Sequence, residues 1–315
     1  MTDILVAGQI VADVLVRPVE RVDFSLDTQR VESFRLANGG DAMNVAVGMA
    51  KLGSSVAFCG RVGADGFGRF LLEKLMSLGV DTAGIVQDAE ASTATCLCLI
   101  NRAGERCFFY CGGANDRMRQ EQVTDEMLKK SRALHVGGTY LLPEMDGEGT
   151  AKLLRRARAA GCRTSMDVTW DTTGRWDSVL TPCYPYLDLF MPSLNEAKHI
   201  AGTDDPEAIA GYFVKCGVGT AIIKLGSKGC FVRRAGLSFY GGIYPVEPVD
   251  TTGAGDAFAA GFLHADLKGM CLPDCVRWGA AAAARAVGRV GATDGVPAGS
   301  ELQQWMEQAR YTLPE

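Results

Sequence analysis

The chain is 315 residues long, 47% apolar, 8% aromatic and 22% charged, a composition that suits a soluble globular protein with a sizeable core. A formal charge of −5 argues against a surface built to attract nucleic acid or an anionic membrane, and no apolar run approaches the ~18 residues of a membrane span. Eleven cysteines without a C-x-x-C pair, and three scattered histidines (His135, His199, His264), give no zinc-ligand spacing; most of the cysteines read as small core residues in a reducing cytoplasm.

Met1 to Ala7 has no basic region and runs straight into an apolar stretch ending at Gly8, which predicts a buried strand and no signal peptide. Asp13 follows inside Ile10–Val16, where a buried charge without a partner is costly. It is either a pocket residue or a solvent-facing one at a strand bend. Residues 17–36 are polar and mixed, with a β-prone piece at Arg30–Leu36. Asn38-Gly39-Gly40-Asp41 then opens a helix from Ala42 to about Leu52, with Met43, Ala46, Val47 and Ala50 on one face. Here Asp41 is an N-cap, or the glycines bed a sugar-sized ligand to which Asn44 and Asp41 offer hydrogen bonds.

Val56 to Cys59 predicts a second buried strand, Arg61–Gly68 a glycine-rich loop, and Gly68 to Leu78 a helix rich in Leu and Met. That loop lacks the G-x-G-x-x-G order, and the chain lacks G-x-x-x-x-G-K-[ST], so dinucleotide-fold and P-loop readings lose support. Ala94–Ile100 and Arg106–Tyr110 are β-prone and flank Asn101–Glu105, the pattern of a hairpin. It interrupts an otherwise alternating βα chain and suits a flap over a cleft, with Gly112-Gly113-Ala114-Asn115 as its hinge.

From Ala133 the alternation resumes with a strand at Leu134–Val136, a basic helix around Ala151–Ala160, and a strand at Arg163–Val168 carrying Asp167 at its carboxyl end. Open parallel sheets bind ligands at that end. Leu187–Met191 is strand-like, and Pro192-Ser193-Leu194-Asn195-Glu196 turns into a helix. Thr220–Leu225 and Cys230–Arg233 flank Gly226-Ser227-Lys228-Gly229, a tight turn able to hug phosphates; Lys224 is a phosphate contact or a solvated strand end. Alanine-rich helices follow at about 256–268 and 274–287, and a third helix ends the chain. Without repeats or linkers, residues 1–315 read as one α/β domain with lid segments at about 10–36 and 92–112.

The stretch Asp250-Thr251-Thr252-Gly253-Ala254-Gly255-Asp256 organises the rest. Two glycines bracket an alanine ahead of a densely apolar helix, so Gly253–Gly255 is a loop feeding a helix N-terminus. Free N–H groups and the helix dipole make such a terminus an anion cradle. Asp256 at its lip would repel a stored anion, yet beside a phosphoryl group in transit it can accept a hydroxyl proton. Otherwise Asp256 simply caps the helix.

This stretch is similar, almost letter for letter, to the C-terminal signature of the ribokinase-like (PfkB) carbohydrate kinases. Gly39-Gly40-Asp41-Ala42-Met43-Asn44-Val45-Ala46 resembles the N-terminal signature, and the likeness spans nearly the whole chain. It implies a three-layer α/β/α, mostly parallel sheet with a small β-sheet lid, ATP as donor and Mg²⁺ as counter-ion. Carried over by position, Asp256 is the catalytic base, and Gly253, Ala254 and Gly255 form the anion hole. Asp13, Gly39, Gly40, Asn44 and Asn115 bind the acceptor, and Lys224, Gly226, Gly229 and Thr252 bind the nucleotide. The family's N-x-x-E pattern survives here as Ser193-Leu194-Asn195-Glu196, so Glu196 is kept near Mg²⁺, through a metal-bound water, while the asparagine is replaced. Asp250, Thr252 and the loop Arg289–Asp294 are the place for a K⁺ ion, which activates part of the family.

The expectation is an ATP-dependent sugar kinase, cytoplasmic and paired through the lid as a homodimer. A nucleoside kinase of the same fold would use Phe108, Phe109 and Tyr110 to stack a base, and a non-catalytic sugar- or nucleotide-binding regulator would not require Asp256. Arg106 and Arg175 are the candidates for recognising an anionic acceptor, or else surface charges.

Overall fold

Alternation of apolar residues between two buried faces is visible from the first strand of the computed structural model, which describes residues 1–314. In β1 (Thr2–Gly8), Ile4 and Val6 enter one core while Leu5 and Ala7 enter the other. β2 (Val11–Arg17) and β3 (Ser33–Gly39) pair antiparallel and leave that sheet. α1 (Asp41–Lys51) starts at Asp41, and Gly40 holds its N-cap position without a side-chain bond, so Asp41 is not the cap. β4 (Val56–Gly63) leads to α2 (Gly66–Ser77), capped by Asp65, and then to β5 (Asp81–Asp88). β6 (Thr95–Ile100) and β7 (Arg106–Cys111) form the expected hairpin.

The second half runs α3 (Asp125–Lys129), β8 (Ser131–Thr139), α4 (Glu148–Ala159), β9 (Arg163–Val168), α5 (Asp177–Leu180) and β10 (Leu189–Phe190). It continues with α6 (Leu194–Ala201), α7 (Pro206–Lys215), β11 (Thr220–Lys224), β12 (Cys230–Arg234) and β13 (Leu237–Gly241). α8 (Ala254–Leu267), α9 (Leu272–Ala286) and α10 (Gly299–Gln308) end it. β10 is shorter than its apolar run, because a 3₁₀ turn at Tyr184–Tyr186 precedes it and Pro192, without an N–H, follows it.

The main sheet has nine strands in the order β13-β12-β11-β10-β9-β8-β1-β4-β5. Every pairing from β11 to β5 is parallel, and β12 and β13 add an antiparallel edge. One face is covered by α1, α2, α8, α9 and α10, the other by α3, α4, α6 and α7, giving three layers. The glycines and alanines of α8 let its neighbours approach closely: a methyl at Gly48 of α1 would come within 2.7 Å of Ala260. A second sheet, β3-β2-β6-β7, stands apart, with β2 and β6 parallel across about eighty residues of chain. Its strands come from two stretches of chain, Val11–Gly39 and Thr95–Cys111.

The glycine-rich end of the hairpin is not an open hinge. It forms a 3₁₀ turn, Gly113–Arg117, in which Ala114 and Asn115 are buried and the Ala114 amide bonds Ser92 O at 2.8 Å. Among the described residues no helix is long and apolar enough to cross a membrane.

Candidate active site

The carboxyl ends of the parallel strands meet the N-termini of α1 and α8, and most of the sequence-predicted residues gather there. Gly253 caps α8 with φ +70°, and a Cβ on it would lie 2.5 Å from Ala292 O, so only glycine allows this turn. The amides of Gly253, Gly255 and Asp256 have no hydrogen-bond partner among the described residues, while that of Ala254 leans on Thr251 O at 3.3 Å. Unpaired amides at a helix start are what an anion requires.

Asp256 is held from the side by α1. Asn44 Nδ2 donates to Asp256 Oδ2 at 2.8 Å, Asn38 Nδ2 donates to Asn44 Oδ1 at 2.9 Å, and Thr293 Oγ1 donates to Asn38 Oδ1 at 3.2 Å. This relay fixes the carboxylate's orientation from three separate segments. Burial lifts the Asp256 carboxyl to about 6; the Asn44 bond and the Lys224 charge oppose the rise, and Asp167 adds to it.

Beneath the α8 terminus Lys224, at the end of β11, forms a short ion pair with Asp167 at the end of β9. Its ammonium also stands where a Cβ on Gly255 would be only 3.0 Å away, so it sits at the mouth of the anion cradle and is no solvated strand end. Burial disfavours its charge, but Asp167 and Glu196 outweigh that and hold the lysine charged. Burial also lifts Asp167, against the pull of Lys224 and of the Val168 amide. Glu196 closes a capping box on α6: its Oε2 accepts from the Ser193 amide at 2.8 Å and from Ser193 Oγ at 2.6 Å. Ser193 thus has a structural partner, and Glu196 keeps Oε1 outside the box. Burial and then Asp167 lift the Glu196 carboxyl to about 7.

On the side of the small sheet, Asp13 lies so close to the Gly39 backbone that a Cβ there would be 2.1 Å from its Oδ2. Burial and the Asp256 charge raise Asp13 to about 7, and burial with Asp256, Asp167 and Glu196 raises Asp41 well above the ordinary carboxyl range. Asp13 is thus turned in against the Gly39 backbone and not out to solvent. Asn115 is not free for a ligand: it is fully buried, its Nδ2 donating to Ile10 O at 3.1 Å and its Oδ1 accepting from the Ile10 amide. It braces the chain between β1 and β2. Gln9 Nε2 donates to Tyr110 Oη at 3.1 Å beside it, a pair that the sequence did not single out.

Asp250 and Thr252 carry a partner that sequence reasoning missed. Arg106, at the start of β7, donates to Asp250 Oδ1 at 3.1 Å, to Thr251 Oγ1 at 2.8 Å and to Thr252 Oγ1. Gly291 N donates to Asp250 Oδ2 at 2.9 Å. Burial works against this carboxylate, but bonds from Thr252 and Gly291 and the charge of Arg106 keep it below the usual range. From β3, Arg35 pairs with Asp294 and donates to Val290 O, so two strands of the small sheet hold the loops beside the cradle. In the β11–β12 turn, a Cβ on Gly226 would meet nothing within 4 Å, whereas one on Gly229 would lie 2.0 Å from Gly241 O. Gly226 has open space; Gly229 serves the hairpin's packing.

Residues 1–299 match the family model described as pfkB family carbohydrate kinase. The chain belongs to the pfkB family of carbohydrate kinases. Its activity is accordingly the ATP-dependent phosphorylation of a sugar hydroxyl. Curated relatives of this pfkB protein include 5-dehydro-2-deoxygluconokinase of Geobacillus kaustophilus, 25% identical over 98% of the chain and 94% of the relative. Ribokinase of Haemophilus influenzae is 28% identical over 90% of the chain and 92% of the relative. Among solved structures, fructokinase with bound ATP from Xylella fastidiosa is 26% identical with a TM-score of 0.83, covering 97% of this chain and 98% of that one. Ribokinase from Thermotoga maritima is 25% identical with a TM-score of 0.84, covering 98% of this chain and all of that one.

Proposed function

We propose that this kinase binds its acceptor between α1 and the small sheet, with Asp256 taking the hydroxyl proton. The observation that carries this reading is the pairing of unbonded amides at Gly253, Gly255 and Asp256 with a carboxylate that Asn44 orients beside them. Asp13, Gly39, Gly40 and Asn44 surround the acceptor, while Lys224, Gly226 and Thr252 lie on the nucleotide side. As the γ-phosphoryl group moves, the unbonded amides of Gly253, Gly255 and Asp256 hold its equatorial charge, and Lys224 adds a fixed positive charge at the cradle's mouth. Asp256 acts on a late-leaving proton, so a carboxyl of modest basicity suffices.

Mg²⁺ fits the donor chemistry: Glu196 and Asp167 offer carboxylate oxygens, the ligands that hard divalent cations take. Bound with ATP, the ion neutralises phosphate charge; Glu196 is the residue to hold it, through a water. For Asp250 and Thr252, the guanidinium of Arg106 already supplies a cation on their oxygens, which favours an enzyme that needs no K⁺.

The small sheet acts as the lid over one kinase domain, its inner face carrying Asp13, Cys96, Tyr110 and Arg106. The register places Val14, Val16, Phe34, Leu36, Leu97, Leu99 and Phe109 on the outer face, where several line an apolar groove of about 370 Å³. Phe34 is 69% exposed and Phe109 56%. An apolar sheet face with open edges supports a homodimer formed lid to lid. The free state of all eleven cysteines supports residence in a reducing cytoplasm.

The test is acceptor-dependent ADP release from Mg·ATP across a panel of sugars and polyols. Turnover of at least one acceptor, with little ATP hydrolysis in its absence, is expected. ATP binding without turnover of any acceptor would favour a regulator.

A further inference from the structure

We propose that Lys224 is the site's own counter-ion: its ammonium holds Asp167, so the carboxylates beside it take up no divalent cation until a phosphoryl group draws the ammonium to the cradle. The proposal rests on the reading of Gly253–Asp256 as the phosphoryl cradle and of Asp167 and Glu196 as the metal side.

Strand order builds the pair. β10 separates β11 from β9 in the sheet, and Lys224 N donates to Pro192 O, just beyond β10, at 2.9 Å. From there the lysine side chain crosses the end of β10 to reach Asp167 at the end of β9. The two side chains are 13% and 2% exposed, so the pair is largely withdrawn from water. The same ammonium stands 3.0 Å from the place a Cβ on Gly255 would take. One nitrogen thus faces a carboxylate on one side and the cradle on the other. Its flexible four-carbon stem and three rotatable donors can exchange these partners without a backbone movement.

The carboxylate oxygens on the metal side are nearly all committed. Asp167 Oδ1 accepts from the Val168 amide at 2.9 Å, and Asp167 Oδ2 accepts from the ammonium. Glu196 Oε2 accepts from the Ser193 amide and hydroxyl, which leaves Glu196 Oε1 as the one oxygen of these two residues without a partner among the described residues. Asp41 and Asp256, whose charges also meet that of Lys224, head α1 and α8 instead. A hard divalent cation takes several oxygens at once and is repelled by an ammonium a few ångströms away. Without nucleotide, this side offers it a single free carboxylate oxygen next to a positive charge.

A phosphoryl group in the cradle changes that balance. It gives the ammonium a second anionic partner and releases Asp167 Oδ2 at the moment when phosphate oxygens complete the donor set. Lys224 and a divalent cation are therefore alternative occupants of Asp167. Among the described residues Lys224 is the only cation bearing on that carboxylate, so removing the lysine leaves a buried charge uncompensated.

The test counts free Mn²⁺ by electron paramagnetic resonance over nucleotide-free, full-length protein at pH 8. Lys224→Met should bind Mn²⁺ at least ~10-fold more tightly than wild type, the low end of what removing a like charge a few ångströms away is worth. Adding Asp167→Asn to Lys224→Met should return the affinity to the wild-type value. Lys224→Arg, which keeps the charge, should leave it unchanged. Equal affinity of Lys224→Met and wild type overturns the proposal, and so does a gain that survives Asp167→Asn. A second measurement needs no substitution: wild type should bind Mn²⁺ alone at least ~10-fold more weakly than it binds Mn·ADP in calorimetry. Binding of the metal alone within tenfold of Mn·ADP overturns the proposal even if the variants fail to fold. Each of these failures leaves the kinase reading standing, because acceptor-dependent ADP release by the wild type decides that reading separately.

Discussion

Arg106 of the small sheet and Asp250 of the loop leading to Gly253 are joined by a 3.1 Å ion pair across 144 residues of chain. The same guanidinium holds the two threonines that lead into Gly253. Small sheet and loop are therefore joined directly; if the sheet is the lid proposed above, lifting it breaks these three contacts.

Replacing Arg106 by alanine should lower kcat by roughly 10–100-fold, the scale expected when reacting groups lose their alignment. The KM for the acceptor should change by less than about threefold, because the Arg106 guanidinium is taken up by Asp250, Thr251 and Thr252. Added guanidinium should restore part of the rate. Unchanged kcat with a raised acceptor KM would assign Arg106 to acceptor binding instead.

The Asn44 bond holds the Asp256 carboxyl down against the effect of burial. Losing it in Asn44→Ala should move the acid limb of the kcat profile, set near pH 6 by Asp256, upward by about one unit, the worth of a hydrogen bond to a charged group. The sign follows from the base being the ionised form. A pH–rate profile between pH 4.5 and 8.5 measures it, and an unmoved limb would dissociate Asn44 from the base.

Asp13, Glu196 and Asp256 hold their protons to about 7, 7 and 6 in the folded chain, all lifted first by burial. Unfolded carboxyls ionise near 4. Between those values the folded state binds more protons, so the contribution is full below about pH 4 and is lost as pH rises through 6 to 7. Asp88 and Asp250, held low by their bonds, act oppositely and lose their contribution as pH falls below about 4. The ligand-free protein should therefore show its highest Tm near pH 5, above that at pH 8. Thermal melts across pH 3–9 check this; a Tm rising monotonically to pH 8 would contradict it.

Phe34 stands beside Val16 on the apolar face of the small sheet that carries the groove. Phe34→Glu should convert a lid-to-lid dimer into a monomer in light scattering after gel filtration, with the circular dichroism spectrum preserved. A wild-type monomer, or an unaffected dimer, would remove the lid from the interface.

Much of this arrangement is legible in local sequence. The βα alternation, the hairpin around Asn101–Glu105 and the helix that follows the Gly253 turn depend on neighbours within a few residues, where periodicity and glycine placement speak directly; the helix begins at Ala254, so Gly255 lies in its first turn and not in the loop. What escaped was set by residues far apart in the chain. No local pattern announces that β2 lies parallel to β6, that Arg106 reaches Asp250, or that Asn115 is consumed by the Ile10 backbone. Lys224 stood open between phosphate contact and solvated strand end because its partner Asp167 lies 57 residues earlier. Edge strands β5 and β13 were missed since their exposed faces break the apolar runs that mark buried strands.

The central claim is that Asp256 receives the acceptor's proton while the bare amides of α8 hold the phosphoryl group. Asp256→Asn keeps the shape and removes the base. Single-turnover phosphorylation of the acceptor identified by the panel should be slowed by ~10²–10⁴-fold, with ATP affinity by calorimetry within about twofold of wild type. A phosphorylation rate within a few-fold of wild type would contradict the account.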